Sequence, residues 1–431
     1  MEIVNIFYLF IVFIIFFSIN LPIPISKIDN NHTYIDQLSF NIIIQSNLIL
    51  SMSFLNMPLK TILIVYFIYL LVCFLFQIKN FIKIKLSIIK YNYYYLFILV
   101  ISLLIFLDIS YSLTLDWDAQ KFWFPKVLNF YNNETIDSLS SVPEPQYPFF
   151  GSLLWALFWK ISFFPEEYTG RLVYAFFYCI SLASLTETLK VSNNFKIIFF
   201  TILILLSYKY IYFSGSQDVL IFCLISITAK IFYELIGNNK KISIYQFIFL
   251  LMICNSLIWI KQEGVVYAFI ISFTLLFSLK TGLLKKITFI GFIILLFGIR
   301  ILIYKFYNFD LSINNCCWND LSFTSLVQRF SFERIITILT FFIFGFLKNS
   351  FFLLGLFFLI TSLLTKKVFK HVNYIYFFYT MSYGFIFLAY IGSNIELVWM
   401  LKTGLDRLIF SASPFYVLFV VKYINAHNLK I

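Results

Sequence analysis

Residues 94–118 read YYLFILVISLLIFLDISYSLTLDWD, and this stretch decides the fold class. Its first part, 94–114, carries a single charged side chain, Asp108, and roughly 20 apolar residues are what a helix needs to cross about 30 Å of hydrocarbon. The run ends on Asp116 and Asp118, two carboxylates at the expected water–lipid boundary. Working outward, further apolar segments fall at 4–19, 60–78, 170–189, 197–213, 218–236, 243–260, 264–279, 287–303, 350–365, 372–391 and 408–421. With 94–114 they make twelve expected spans. The whole chain agrees: 431 residues are 61% hydrophobic and only 12% charged, with a mean hydropathy of +0.91. The expectation is an all-α polytopic membrane protein of about twelve transmembrane helices. That excludes nucleic-acid binders, secreted disulfide scaffolds and a soluble enzyme with one anchor.

The formal charge of +12 reports topology before it reports partners, because lysines concentrate in short loops facing the cytoplasm. Clusters at Lys79 to Lys90, Lys190 with Lys196, Lys240 with Lys241, Lys280 to Lys286, Lys366 to Lys370, and Lys422 with Lys430 alternate cleanly only if 149–164 does not cross. That segment is short, contains Lys160 and spaces Trp155 and Trp159 as an interface-lying helix would. Residues 39–57 and 332–347 are read the same way, as interfacial or re-entrant. The opening residues, without a basic start or a small-residue cleavage site, read as a retained helix. Cys73, Cys179, Cys223 and Cys254 sit in apolar runs, Cys316 and Cys317 are adjacent, and the three histidines are far apart, so no metal-ligand spacing exists.

This orientation gathers the remaining charges on the outer face: Asp116, Asp118, Glu144, Glu166, Glu167, Arg171, Asp218, Lys261, Glu263, Arg300, Lys305, Asp320, Arg329, Arg334, Asp406 and Arg407. The long polar loop 115–147 pins Asp116 and Asp118 there, followed by QKFWFPKV, read as an amphipathic segment on the headgroup surface, and by three prolines that impose an extended return. A carboxylate at this boundary is suited to act as a general base, and either aspartate is equally suited to cap the helix that follows. Asp218 opens a later outer span end, where capping is again open. Lys261 and Glu263 form a tight break in WIKQEGVVY, and Arg407 offers a planar fork for phosphate oxygens near the last span. Arg171, Arg300, Arg329, Arg334 and Arg407 are the only arginines among 32 basic residues.

Taken in order, Asp116-Trp117-Asp118-Ala119 with FWFPKV, Tyr147-Pro148 before an aromatic helix ending at Glu166, Glu167 and Arg171, KQEG at 261–264, and Leu405-Asp406-Arg407-Leu408 resemble the GT-C superfamily of polytopic glycosyltransferases. The chain looks most like bacterial relatives of the protein O-mannosyltransferase and aminoarabinose transferase type. The resemblance implies an inverting sugar transfer from a polyprenyl-phosphate donor at the outer face. It makes Asp118, and after it Asp116, the acidic residue that deprotonates the acceptor, and Asp218 the second acidic position. Lys261 and Arg407 become candidates to hold the departing lipid phosphate, with Glu263, Lys126 and Tyr147 in the same substrate-binding set. Ala119 departs from the side-by-side acidic pair common in the first loop, which leaves any divalent metal open; no cofactor is firmly implied.

The expected organisation is N-terminal membrane helices at 1–92, a GT-C-like catalytic core at 93–303, and C-terminal helices at 304–431 with an outer loop at 304–349. The expected partners are a polyprenyl-phosphate-linked sugar, membrane lipids, and a lipid, glycan or protein acceptor, with no nucleic acid. The expected location is a cell membrane, bacterial inner membrane by the resemblance, with a periplasmic site. A transporter or flippase of lipid-linked glycans is the rival from another class, disfavoured because no internal repeat is visible and the charges sit at span ends. A lipid-linked polysaccharide polymerase or ligase is nearer in chemistry, but those relatives usually carry their large loop late in the chain.

Overall fold

The computed structural model describes residues 3–21, 33–81, 93–111, 114–237, 242–278, 282–309, 323–364 and 372–426, and among them every regular element is helical. Four helices precede the first long loop: α1 (Ile3–Ser18), α2 (Tyr34–Phe54), α3 (Leu59–Phe81) and α4 (Tyr93–Tyr111). The loop holds a π-helical turn (Ala119–Trp123) running into α5 (Phe124–Tyr131). Then come α6 (Phe150–Ser162), α7 (Tyr168–Thr186), α8 (Asn193–Ser207), α9 (Asp218–Gly237), α10 (Ile244–Ile260), α11 (Gln262–Ser278) and α12 (Leu283–Phe306). The C-terminal part contains α13 (Phe323–Arg329), α14 (Phe332–Lys348), α15 (Ser350–Leu364), α16 (Asn373–Ile391), α17 (Leu397–Ala412) and α18 (Pro414–Ala426).

Six of these units are long and apolar enough to cross a membrane: Leu59–Ile78, Tyr93–Tyr111, Asp218–Ile236, Leu283–Phe306, Asn373–Ile391 and the run Leu397–Ala426. α14 and α15, bent by 82° at Asn349, would add a seventh if taken as one span. Exposed Ile64, Ile68, Leu71 and Leu75 on α3, and Leu284, Ile287, Ile294 and Leu295 on α12, give these helices the apolar outer faces that lipid stabilises and water does not. The chain is a helical membrane-type protein. Fewer spans satisfy length and composition than the twelve expected, because α1, α8, α10, α11 and α15 run only 15 to 17 residues and α7, though 19 residues long, is not apolar enough.

Three segments expected at the surface lie inside. Residues 39–57 belong mostly to α2, which is buried along nearly all its length. Its polar interruptions are interhelical hydrogen bonds: Asn41 Nδ2 donates to the Phe17 and Ile19 carbonyls, Gln45 Nε2 to Phe16 O, and Asn47 Nδ2 to Ser256 Oγ at 2.8 Å. In apolar surroundings such side chains hold helices together, so the Ser, Asn and Gln content that suggested an interfacial segment marks a core helix. The aromatic stretch 149–164 forms α6 and is likewise buried, with Trp155 fully enclosed and Tyr131 stacked on Trp159 at 3.9 Å. The QKFWFPKV segment turns Ala119, Trp123, Lys126 and Val127 inward. Residues 332–347 are helical within α14, whose outward side is apolar (Phe332, Ile336, Ile343, Leu347). Asp320, the adjacent cysteines and most of the lysine clusters that orient the sequence lie outside the described residues.

The bundle has two chemically different ends. At one, Asp36 of α2 is ion-paired with Lys230 of α9 and accepts a hydrogen bond from Ser184, while Lys196 pairs with Glu187 at 2.6 Å and the Lys190 N–H meets Asn425. At the other, where Asn56 beyond α2 accepts from the Asp137 N–H, the first long loop closes over α6 and the breaks before α9 and α11.

Candidate active site

The first loop is anchored before it presents a carboxylate. The Asp116 N–H donates to Ser214 O at 2.9 Å, which stitches the end of the α4 strand of chain to the turn preceding α9. Asp116 Oδ1 accepts from the Trp117 N–H, and Asp118 precedes the π-helical turn without a side-chain capping bond. Of the two roles open to Asp118, its carboxylate is therefore not taken up by capping. Ala119 is buried against Gly215, whose φ of +94° is costly for any residue with a side chain. A Cβ on Gly215 would come within 2.6 Å of the Ala119 Cβ and 3.0 Å of the Trp155 ring. A second carboxylate at 119 has no room.

The turn at 213–217 is held from below. Arg171 of α7 is fully buried; it pairs with Glu167 at 2.7 Å and donates through Nη1 to Phe213 O at 3.0 Å. Gly170 lets α7 approach α6 closely, a Cβ there falling 2.3 Å from Trp155 O. Trp155 Nε1 in turn donates to Glu167 O. Burial pushes the Glu167 carboxyl above its ordinary value, against the pull of Arg171. On this base Ser216 Oγ bonds Asp218 Oδ2 at 2.7 Å and accepts the Asp218 N–H, so the Asp218 carboxylate is fixed at the start of α9.

Lys261 occupies the one extended residue between α10 and α11. Arg300 of α12 makes this break rigid, donating to Ile258 O at 2.8 Å and to Gln262 Oε1 at 2.6 Å, and Gln262 donates to Gln146 O in the first loop. Gly264 is required because a Cβ would fall 1.9 Å from Leu257 O. The Lys261 ammonium then sits 2.8 Å from Asp218 Oδ1 and 3.5 Å from Glu263 Oε1. Burial works against its charge, but Asp218 and Glu263 outweigh burial and hold its pKa above the usual lysine range.

Arg407 of α17 closes the cluster. Its Nη1 lies 2.5 Å from Asp118 Oδ2 and 3.5 Å from Asp116 Oδ2, and its Nε lies 4.0 Å from Asp218 Oδ2. Nε is buried and has no hydrogen-bond partner. Counting back from Ala426 at 1.5 Å per residue puts Arg407 roughly 28 Å along the α17–α18 run, close to one hydrocarbon thickness from its far end. Six residues expected from sequence, Asp116, Asp118, Asp218, Lys261, Glu263 and Arg407, thus form one continuous charge network drawn from four separate parts of the chain. Asp116, Asp118 and Arg407 are each 22–24% exposed, whereas Asp218 is 1% exposed. The network is open on its Asp118–Arg407 side and closed on its Asp218–Lys261 side. Four carboxylates face two cations. Among the described residues there is no group of three or more His, Cys, Asp or Glu suited to a metal ion.

Lys126 and Tyr147 stand apart from the network. The buried Lys126 ammonium donates to Glu144 O at 2.8 Å and Tyr147 O at 2.6 Å, and Tyr147 stacks on Phe122 at 5.0 Å. Both pin the proline-rich return of the loop. Arg171, Arg300 and Gly215 support the site in ways that the sequence does not announce, although the rarity of arginine in this chain was a signal for the first two.

Comparison with protein-family models, curated proteins and solved structures gives no match to this chain.

Proposed function

We propose that the chain is a membrane glycosyltransferase that moves a sugar from a polyprenyl-phosphate donor to an acceptor at the outer face of a cell membrane, with inversion. The observation that carries this reading is the half-open contact of Asp118 with Arg407, a base and a phosphate-binding cation side by side at a membrane boundary. In this reading thirteen helices cross the bilayer: α1 to α4, α7 to α12, α15, α16 and the α17–α18 run. The first long loop, α5, α6, α13 and α14 lie at the outer side, in a GT-C-like arrangement.

The chemistry follows from the positions of the charges. An acceptor hydroxyl or amine attacks the anomeric carbon of the donor, the bond from that carbon to the phosphate oxygen breaks, and Asp118 takes the acceptor proton. The polyprenyl phosphate leaves with one more negative charge than it carried as an ester. Arg407, with an unpaired Nε and a forked guanidinium, holds that charge in a water-poor site, where fixed cations are worth far more than in bulk solvent. Lys261, kept charged by its pairing, supports the same field from behind Asp218. Asp116 shares the Arg407 guanidinium and keeps it oriented toward Asp118.

The test is transfer of labelled sugar from each of a panel of polyprenyl-phosphate sugars to acceptors in a membrane extract, with the purified protein. Donor-dependent labelling supports the reading. Absence of labelling with every donor, from a folded sample, refutes it and makes a flux assay for lipid-linked glycans the next step.

A further inference from the structure

A polar cavity that opens to the surface lies close to the charge network and differs from it in sign. Lys209, from the segment after α8, and Lys348, in the last turn of α14, both line it, and no carboxylate does. Neither lysine has a carboxylate within ion-pair distance among the described residues. The wall is rigid: Tyr212 stacks on Phe410 at 3.9 Å, and Phe410 follows Arg407 by one helical turn. Ser207, Ser350 and Ser413 supply hydroxyl groups to the lining.

The surroundings of the two lysines are amphiphilic. The chain bends by 82° at Asn349, between α14 and α15. α14 has an apolar outward face and α15 is apolar throughout, which fits a helix lying in the headgroup plane followed by one that enters the hydrocarbon. Lys348 sits at that corner, which in such an arrangement is the level of the lipid headgroups. Below the cavity, α8 and α15 pack together, and Ile198, Ile202 and Leu205 on one with Leu353, Phe357 and Ile360 on the other are exposed. An amphiphile with its head between the lysines would lay its chain along these residues, whereas a soluble anion would use none of them.

We infer that this cavity binds the anionic phosphate headgroup of a lipid. The site stands independently of the transfer chemistry, and no residue of the Asp118–Arg407 network lines it.

The experiment measures binding of dioctanoyl phosphatidic acid, dioctanoyl phosphatidylcholine and inorganic phosphate to the purified full-length chain by calorimetry, for wild type, K209Q/K348Q and K209R/K348R. A lysine near an anionic lipid surface is worth about a factor of five in affinity, so the Gln pair should weaken phosphatidic acid binding about 30-fold. The Arg pair should bind as wild type does, and phosphatidylcholine should bind at least about tenfold more weakly than phosphatidic acid. If the double variant does not fold, K348Q alone reads the effect at about fivefold. Unchanged phosphatidic acid binding in the Gln variants, or equal affinity for the two lipids, overturns the inference. Inorganic phosphate binding as tightly as phosphatidic acid assigns the cavity to a soluble anion and overturns it as well.

Discussion

The Arg407 guanidinium meets the Asp118 carboxylate at 2.5 Å although 289 residues separate them in the chain. Neither partner is enclosed, and the same guanidinium reaches toward Asp116 and Asp218. A half-buried pair of this kind is partly screened by solvent and adds only modest stability. Its geometry therefore bears on binding more than on folding.

Arg407→Lys keeps the charge and loses the planar fork. The expected result is a rise of about tenfold or more in KM for the lipid-phosphate donor, with a much smaller change for the acceptor. Equal effects on both substrates would return Arg407 to a role in holding α17.

Asp218 and Lys261 are a different case, because both are buried. Lys261→Met leaves the Asp218 carboxylate without its closest partner and should cost about 3 kcal/mol. D218N/K261M should cost less than the sum of the single changes, with a coupling of about 1–3 kcal/mol in denaturant unfolding. Additive effects would show that the two do not act as a pair. The sign for pH follows from the raised Lys261 pKa: its contribution is complete below the unfolded lysine value and fades only as pH rises through the higher folded one. Stability measured from neutrality upward should be flat with respect to this pair until strongly alkaline solution.

The contact of Ala119 with Gly215 makes a packing prediction. Gly215→Ala meets both the positive φ and the 2.6 Å approach, and should lower stability by about 1–3 kcal/mol. Ala119→Glu, which would set a second carboxylate beside Asp118, should fail to fold or lose the site, read as loss of the folded fraction in size-exclusion chromatography. A well-folded Ala119→Glu protein would show that the turn is looser than its geometry implies.

Much of the site is legible because charge is so scarce in this chain that each Asp, Glu, Lys or Arg at the end of an apolar run needs a reason. Asp116, Asp118, Asp218, Lys261, Glu263 and Arg407 were picked out on that ground, and they converge. Lys126, which the resemblance puts in the substrate-binding set, instead holds the Glu144 and Tyr147 carbonyls, because sequence cannot tell a cation facing a ligand from one satisfying the backbone. The expectation of an interfacial segment at 39–57 fails for a related reason: Asn41, Gln45 and Asn47 look unsuited to lipid, and only their partners on α1 and α10 reveal a helix packed largely inside the protein. α6 was misread because two tryptophans four residues apart suit an interface and a buried aromatic core equally well. The local supports at Gly215 and Arg300 depend on tertiary approach and leave no periodic trace.

The two-ended arrangement has a direct test. Ser140→Cys, in the first long loop, and Ser192→Cys, beside the Glu187–Lys196 pair, should react with an impermeant maleimide from opposite sides of sealed vesicles. Labelling of both from one side would contradict the separation of the ends.

The most direct measurement is release of free polyprenyl phosphate from polyprenyl-phosphate sugars by the reconstituted protein, with acceptor-containing membrane extract, comparing wild type with Asp118→Asn. Sugar-dependent release by wild type should fall by about two to four orders of magnitude in the variant, the range expected for loss of a general base, with its unfolding profile unchanged. Full release by a folded Asp118→Asn protein would remove Asp118 from the chemistry and contradict the proposed mechanism.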